Sequence, residues 1–484
     1  MRIRTVATWA MIAGMTANGS GSAAAQQPVS RVAGTWSGVL EAGGVRLTMV
    51  FHVAAAQDGR LSATLDSPDQ GATGIPVNEV TFADSVLKMA SATVRGEYEG
   101  KLSADGTKLS GEWHQGGMTF PLELIKGRAP ERKPKPQEPQ PPLPYESVDV
   151  RFRNAGANIE LAGTLTLPRG AARVAAVVLI SGSGAQDRDE SLLGHKPFLV
   201  LADHLTRNGI AVLRYDDRGA GQSGGSFAMA TSLDFMTDAL AAVTYLASRQ
   251  EIDAAKIGLI GHSEGGMVAP LAATRSDDVA FIVLLAGTGV AGEEILYAQG
   301  EQIARASGAP ESAIRKNVEA QRLIFAAVKE NSGPGAADRV RGIMREQLAS
   351  LTDAERAAMG LAGDMDAIIQ AQTAQVTSPW FRWFLTHDPA PVLEQVDVPV
   401  LALNGELDLQ VPPDQNLPAI EAALRRGGND DFTVRRLPGL NHLFQSATTG
   451  APAEYAQIEE TFSPAALDLI SAWINARFDT SGRR

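Results

Sequence analysis

A run of prolines constrains this chain more than any other feature. Residues 127–144 read GRAPERKPKPQEPQPPLP. Proline has no backbone N–H and a fixed φ, so this stretch can enter neither a helix interior nor a central strand. It predicts an extended, polyproline-like spacer and sets a domain boundary, with the linker over 127–146. At 484 residues the chain is too long for one core, so what lies on each side must fold as a unit.

The segment before the linker, 28–126, reads as all-β. Short alternating runs occur at 35–40, 45–53, 61–66, 86–89, 97–102, 108–113 and 118–125. Asp58-Gly59 and Asp105-Gly106 stand between pairs of them, where hairpins need positive φ. Seven or eight strands predict a small barrel or sandwich. His52 and His114 fall in or beside strands and read as structural residues.

After the linker the pattern becomes α/β over 147–484. An opening antiparallel pair at 148–152 and 160–167 precedes apolar runs at 174–180, 211–214, 257–260, 281–285 and 398–403, as expected of buried parallel strands. Helical stretches lie at 197–207, 233–249 and 264–274, with a last helix starting at Pro464. The alternation predicts a mostly parallel sheet covered on both faces. Residues 291–385 break it: they are rich in Ala, Glu, Arg, Gln and Leu and predict helices inserted between two strands as a cap over a site.

The chemistry centres on Gly261-His262-Ser263-Glu264-Gly265. This G-x-S-x-G follows a strand-like run and precedes a helix, the context of a nucleophile elbow. Flanking glycines permit the sharp turn and close backbone approach. A serine hydroxyl needs a base. His442, the last histidine, lies in a loop after the strand-like run 432–437 and is the candidate. The acid that orients it is expected after 398–403. Asp408 is preferred there, with Glu406 and Asp414 as rivals, and the order Ser263, Asp408, His442 is that of a strand–helix hydrolase. Backbone N–H groups of Glu264 and Ser183 are the candidate oxyanion donors. Ser183 belongs to Ser181-Gly182-Ser183-Gly184, which lacks the lysine and spacing of a phosphate loop. Arg218 is assigned a bracing role, and 186–189 (QDRD) lies near the expected mouth.

Composition removes other chemistries. The chain has no cysteine, which excludes disulfides, thiolate nucleophiles and a lipid-modified cysteine. Seven histidines without His-Glu-x-x-His spacing argue against a metal hydrolase. A net charge of −12 gives no general attraction for nucleic acid or anionic lipid. Arg2 and Arg4, an apolar stretch at 6–15 and Ala23-Ala24-Ala25 predict a signal peptide over 1–25 and an exported, periplasmic or extracellular protein. No other run approaches the roughly 18 apolar residues of a membrane span.

Taken together, SGSGAQDRD (181–189), RYDDRGAGQS (214–223), GHSEGG (261–266), NGELDLQVP (404–412) and LPGLNH (437–442) resemble the bacterial α/β-hydrolase esterases grouped with serine-aminopeptidase-like hydrolases. That resemblance implies an α/β-hydrolase fold with a helical cap, preceded here by a small all-β domain. It also implies hydrolysis of a small, short-acyl ester with no cofactor. Many α/β-hydrolases carry an apolar residue at the position of Glu264, and no role for its side chain follows from the sequence. Two other readings stand beside the esterase. One is an aminopeptidase or amidase, whose substrate amine cap glutamates would anchor. The other is a non-catalytic binding protein built on the β domain.

Overall fold

In the computed structural model the chain on either side of the proline-rich run builds its own sheet. The structure describes residues 29–478 apart from 43–44, 57, 71, 95, 116, 128–133, 171–172, 331–333 and 359–364, so the signal-peptide expectation for 1–25 lies outside the described residues.

The first sheet has nine strands: β1 (Gly34–Ala42), β2 (Val45–Ala55), β3 (Leu61–Ser67), β4 (Ala72–Val77), β5 (Glu79–Ala83), β6 (Val86–Ser91), β7 (Gly96–Leu102), β8 (Lys108–Gln115) and β9 (Met118–Lys126). They run antiparallel in the order β4-β3-β2-β1-β9-β8-β7-β6-β5. Strict alternation sets the faces: in β7 Tyr98 and Leu102 point inward while Glu97, Glu99 and Lys101 point out. One core joins Trp36, Phe51, Leu65, Met89, Tyr98 and Trp113. The strand count exceeds the seven or eight expected. β4 carries Gly74 and Pro76, and Asn78 separates it from β5; these residues broke the alternation to be read from sequence. His52 bonds Asp66 at 2.8 Å and His114 bonds Thr119 at 2.9 Å, local partners on the sheet.

The second sheet has eight strands: β10 (Glu146–Asn154), β11 (Ile159–Leu167), β12 (Val174–Ile180), β13 (Ala211–Tyr215), β14 (Ile252–His262), β15 (Phe281–Leu285), β16 (Val400–Gly405) and β17 (Phe432–Leu437). Their order is β10-β11-β13-β12-β14-β15-β16-β17. From β13 onward all pairings are parallel. Every residue of β12, β13, β15 and β16 is buried, as strands covered on both faces require. The covering helices are α1 (Pro197–Arg207), α2 (Ser232–Ala247) and α3 (Gly265–Ala273). Between β15 and β16 come α4 (Gly292–Ala306), α5 (Glu311–Glu330), α6 (Pro334–Ser350), α7 (Asp353–Ala358), α8 (Met365–Val376) and α9 (Pro379–Thr386). They share a core of Ile324, Phe325, Val340, Met344, Ile369 and Phe381. The short α10 (Ala390–Leu393), then α11 (Pro413–Arg426) and α12 (Pro464–Phe478), complete the layers.

The spacer is fastened rather than free. Gln137 Nε2 donates to the Phe462 carbonyl at 2.7 Å, and its Oε1 accepts the N–H groups of Thr461 and Phe462 at 2.6 and 3.0 Å. Lys135 Nζ donates to the Ile458 carbonyl at 2.8 Å. The polar side chains between the prolines thus pair with loop backbone before α12. A chain starting at Pro134 is expected to fold and keep its activity. One starting at Tyr145 gives up these four bonds, at about 2–6 kcal/mol in all after solvent compensation, and should melt several degrees lower. Scanning fluorimetry on both tests this; equal melting temperatures would mean that the strap adds no stability.

Candidate active site

The turn between β14 and α3 is tightly constrained. Ser263 sits at φ 53°, left-handed for a non-glycine residue. Such a conformation costs about 1–3 kcal/mol and persists only where the surroundings impose it. Here the serine N–H donates to the Leu285 carbonyl at 2.8 Å. A Cβ on Gly261 would lie 1.9 Å from the Gly265 carbonyl oxygen, and one on Gly265 would lie 2.1 Å from that of Ile180. Both flanking glycines are therefore required for the helix to start this close to the strands.

The other candidates lie on loops leaving the carboxyl ends of β12, β16 and β17, where open α/β sheets bind their ligands. His442 Nδ1 lies 2.8 Å from Asp408 Oδ2, and the pair is buried. Asp408 Oδ1 also accepts the N–H groups of Gln410 and Val411 at 2.8 and 2.9 Å. The rival carboxylates go elsewhere. Glu406 is exposed and accepts the Gly439 N–H at 3.0 Å. Asp414 is exposed and paired with Arg436. Continued strand geometry would have put residues 406 and 408 on one side. Instead the chain turns after Gly405, with Leu407 N–H donating to the Leu440 carbonyl at 2.8 Å, and only Asp408 meets the imidazole.

Ser263 and His442 line one cavity of about 280 Å³, together with Ser183 and Glu264. Among the described residues the N–H groups of Ser183 and Glu264 have no protein acceptor, whereas that of Gly182 is taken by Glu190 Oε1 at 2.7 Å. The cap supplies the far wall through Ile295, Leu296, Trp380 and Phe384, with Gln299 and Gln375 as its polar members.

Glu264 has a defined place. Its Oε1 accepts from Ser232 Oγ at 2.5 Å and from Trp380 Nε1 at 2.7 Å, and its carboxyl also meets the Ser183 side chain. Burial pushes its pKa up, and these three donors partly offset that. The carboxyl thereby joins the elbow to the start of α2, to the loop after β12 and to the cap helix α9.

Two loops differ from expectation or refine it. In 186–189 the half-buried charges are paired within the protein, Asp187 with the Ser191 hydroxyl at 2.8 Å. Arg188 pairs with buried Asp216 at 2.8 Å, and Asp189 pairs with Lys196 at 2.9 Å and with Arg214, leaving Gln186 at the cavity. Arg218 donates to Asp238 at 2.7 Å and to the Asp234 carbonyl at 2.8 Å, tying its loop to α2.

A second imidazole–carboxylate pair lies beside the first and was not singled out in the sequence. His262 Nδ1 is 2.8 Å from Glu190 Oε1, and its Nε2 is 3.0 Å from the His442 carbonyl oxygen. The two histidine rings are 4.9 Å apart. Position 190 is separated from 262 by 72 residues, and no short motif links them. Among the described residues no group of three or more His, Asp or Glu side chains is placed to hold a metal ion.

Residues 196–328 match the family described as serine aminopeptidase, S33 (Hydrolase_4). A curated relative, Esterase EstD of Thermotoga maritima, is 26% identical over 335 residues, 69% of this chain and 68% of its own. Solved structures that this chain matches include the α/β hydrolase GrgF from Penicillium sp. sh18, 16% identical with a TM-score of 0.43, covering 69% of this chain and 99% of that one. Another is the esterase Pf2001 of Pyrococcus furiosus, 14% identical with a TM-score of 0.41, covering 69% and 93%. The protein has the α/β-hydrolase fold, with an antiparallel β domain in front of it, and is a hydrolase similar to the esterases of that fold.

Proposed function

We propose that this α/β-hydrolase is a serine esterase that cleaves small, short-acyl carboxylic esters by acyl transfer to Ser263. The observation that carries the reading is the buried 2.8 Å contact between His442 Nδ1 and Asp408 opening onto the same cavity as the strained Ser263. Asp408 keeps the proton of His442 on Nδ1, which leaves Nε2 free to accept the Ser263 proton as Oγ attacks the ester carbonyl. The tetrahedral oxyanion is then held by the N–H groups of Ser183 and Glu264. His442 returns the proton to the leaving alcohol, and water repeats the cycle to release the acid.

Cavity size and lining support the substrate class. About 280 Å³ lies at the small end for ligand sites and suits a short acyl chain. An aminopeptidase would need a carboxylate in the cap wall for the substrate amine; among the described residues the cap lines the cavity with apolar groups and glutamines. The signal-peptide pattern at 1–25 supports export, so the ester would be met outside the cytoplasm.

A fluorophosphonate probe should label the protein once, at Ser263, which a binding protein would not permit. On a panel of p-nitrophenyl esters and aminoacyl anilides, acetate or butyrate should lead. Acyl chains too long for the cavity should lose at least about tenfold in kcat/KM. Anilides turned over faster than every ester would transfer the reading to an amidase.

A further inference from the structure

We propose that Glu190 and His262 form a second, non-reacting carboxylate–imidazolium pair that positions both halves of the acyl-transfer site. Glu190 holds the oxyanion loop through the Gly182 N–H, and His262 holds the backbone of the base through the His442 carbonyl. The proposal rests on acyl transfer to Ser263 and assigns the pair a positioning role, with no contact to the reacting atoms.

Hydrogen-bond arithmetic supports the charged state. His262 Nε2 faces a backbone carbonyl at 3.0 Å, which can only accept. Its Nδ1 faces Glu190 Oε1 at 2.8 Å, and that oxygen already accepts the Gly182 N–H at 2.7 Å. A neutral imidazole carries one N–H and could satisfy one of these contacts, whereas the imidazolium satisfies both. Burial by itself would lower the pKa of His262. The charge and hydrogen bond of Glu190, with the His442 carbonyl, outweigh burial and hold it above the ordinary 6.5. Both side chains are buried, at 8% and 5% exposure, so solvent screens the pair little.

The packing shows what the pair holds. A Cβ at Gly182 would lie 3.3 Å from Glu190 Oε1, 3.3 Å from the Ser263 Cβ and 3.5 Å from His262 Nδ1. The loop that offers the Ser183 N–H therefore rests on the pair on one side and on the nucleophile on the other. The charged or titratable groups around His262 come from four loops. They are Glu190 after β12, Asp217 after β13, whose carboxyl lies close enough to feel the Glu190 charge, Asp408 after β16 and His442 after β17; Glu264 follows in its own turn. Loss of the His262 proton would leave Glu190 or the His442 carbonyl without its donor, loosening the oxyanion loop or the base. The pair is intact below its raised pKa and lost as pH climbs through it, so it would contribute an alkaline limb to the rate.

The test uses the full chain and Glu190→Gln, which keeps size and acceptor but removes charge. With a p-nitrophenyl ester, kcat should fall by up to about 10²-fold, because a small misplacement of reacting groups costs that much. KM should stay nearly unchanged, and the alkaline limb should move to lower pH, since His262 loses the charge that raised its pKa. Titration with a fluorophosphonate should still count one reactive site per chain, only more slowly. An unchanged kcat and alkaline limb would overturn the proposal. So would a fall in kcat matched by a fall in titratable sites, the mark of partial unfolding. The unmodified protein offers an independent check if the variant does not fold: the ¹⁵N shifts of the His262 ring should report two N–H groups above pH 6.5, and a neutral ring there would also overturn it. A wild-type protein that neither hydrolyses esters nor labels at Ser263 would instead remove the acyl-transfer reading, and this pair's role with it.

Discussion

Asp408→Asn should reduce kcat for an activated ester near neutral pH by up to about 10⁴-fold, with the protein still folded. The reason lies in the three bonds that the carboxylate makes. Its Oδ1 accepts two backbone N–H groups, from Gln410 and Val411, so the single carbonyl oxygen of asparagine would be held there. The amide NH₂ would then face His442 Nδ1 in place of Oδ2. A donor at that point makes Nδ1 an acceptor and moves the ring proton to Nε2, where it blocks removal of the Ser263 proton. Glu406→Gln should cost less than about tenfold, because an exposed side chain that accepts one backbone N–H has a small share in stability and none in the base. Measuring kcat for both folded variants with one ester decides the matter. The reverse ranking would move the acid to Glu406, and two mild effects would point to Asp414.

Ser263→Ala should lower kcat by about 10³-fold or more, since no acyl-enzyme can form. Stability should hardly change. Alanine keeps the Cβ that makes φ 53° costly, and the bond from this residue's N–H to Leu285 is a backbone bond that survives. Ser263→Gly offers a control with the opposite balance. Glycine adopts positive φ freely, so this variant should be equally inactive yet more stable by about 1–2 kcal/mol, seen as a raised Tm. Near-normal turnover in either folded variant would reject Ser263 as nucleophile. A glycine variant no more stable than wild type would mean that the turn stores no strain.

What could be read from the chain was local. The proline run, the change from two-residue alternation to buried apolar runs, and a G-x-S-x-G between a strand and a helix are each written within about twenty residues, the span over which backbone sterics and periodicity act. They sufficed for an α/β unit behind a β unit and for a serine at a sharp turn. β4 and β5 escaped because Gly74, Pro76 and Asn78 obscure the alternation, and their sheet neighbours β3 and β6, not their own pattern, make them strands.

Tertiary structure decided everything that depends on which loops meet. Three carboxylates followed the same strand or its loop, and spacing could only rank them. The turn after Gly405 brings Asp408 to His442 and sends Glu406 and Asp414 to the surface. The charges at 187–189 lie near the expected mouth in sequence, yet Arg188 is taken up by Asp216, Asp189 by Lys196 and Arg214, and Asp187 by Ser191 and the Asp189 N–H. Glu264 had no role until Trp380, 116 residues away, was set against it, and Glu190 had none until His262 was. A hydrogen bond is short-ranged and directional. A sequence shows which groups can form one, and the parallel sheet, by placing the ends of β12, β14, β16 and β17 along one edge, determines which pairs do.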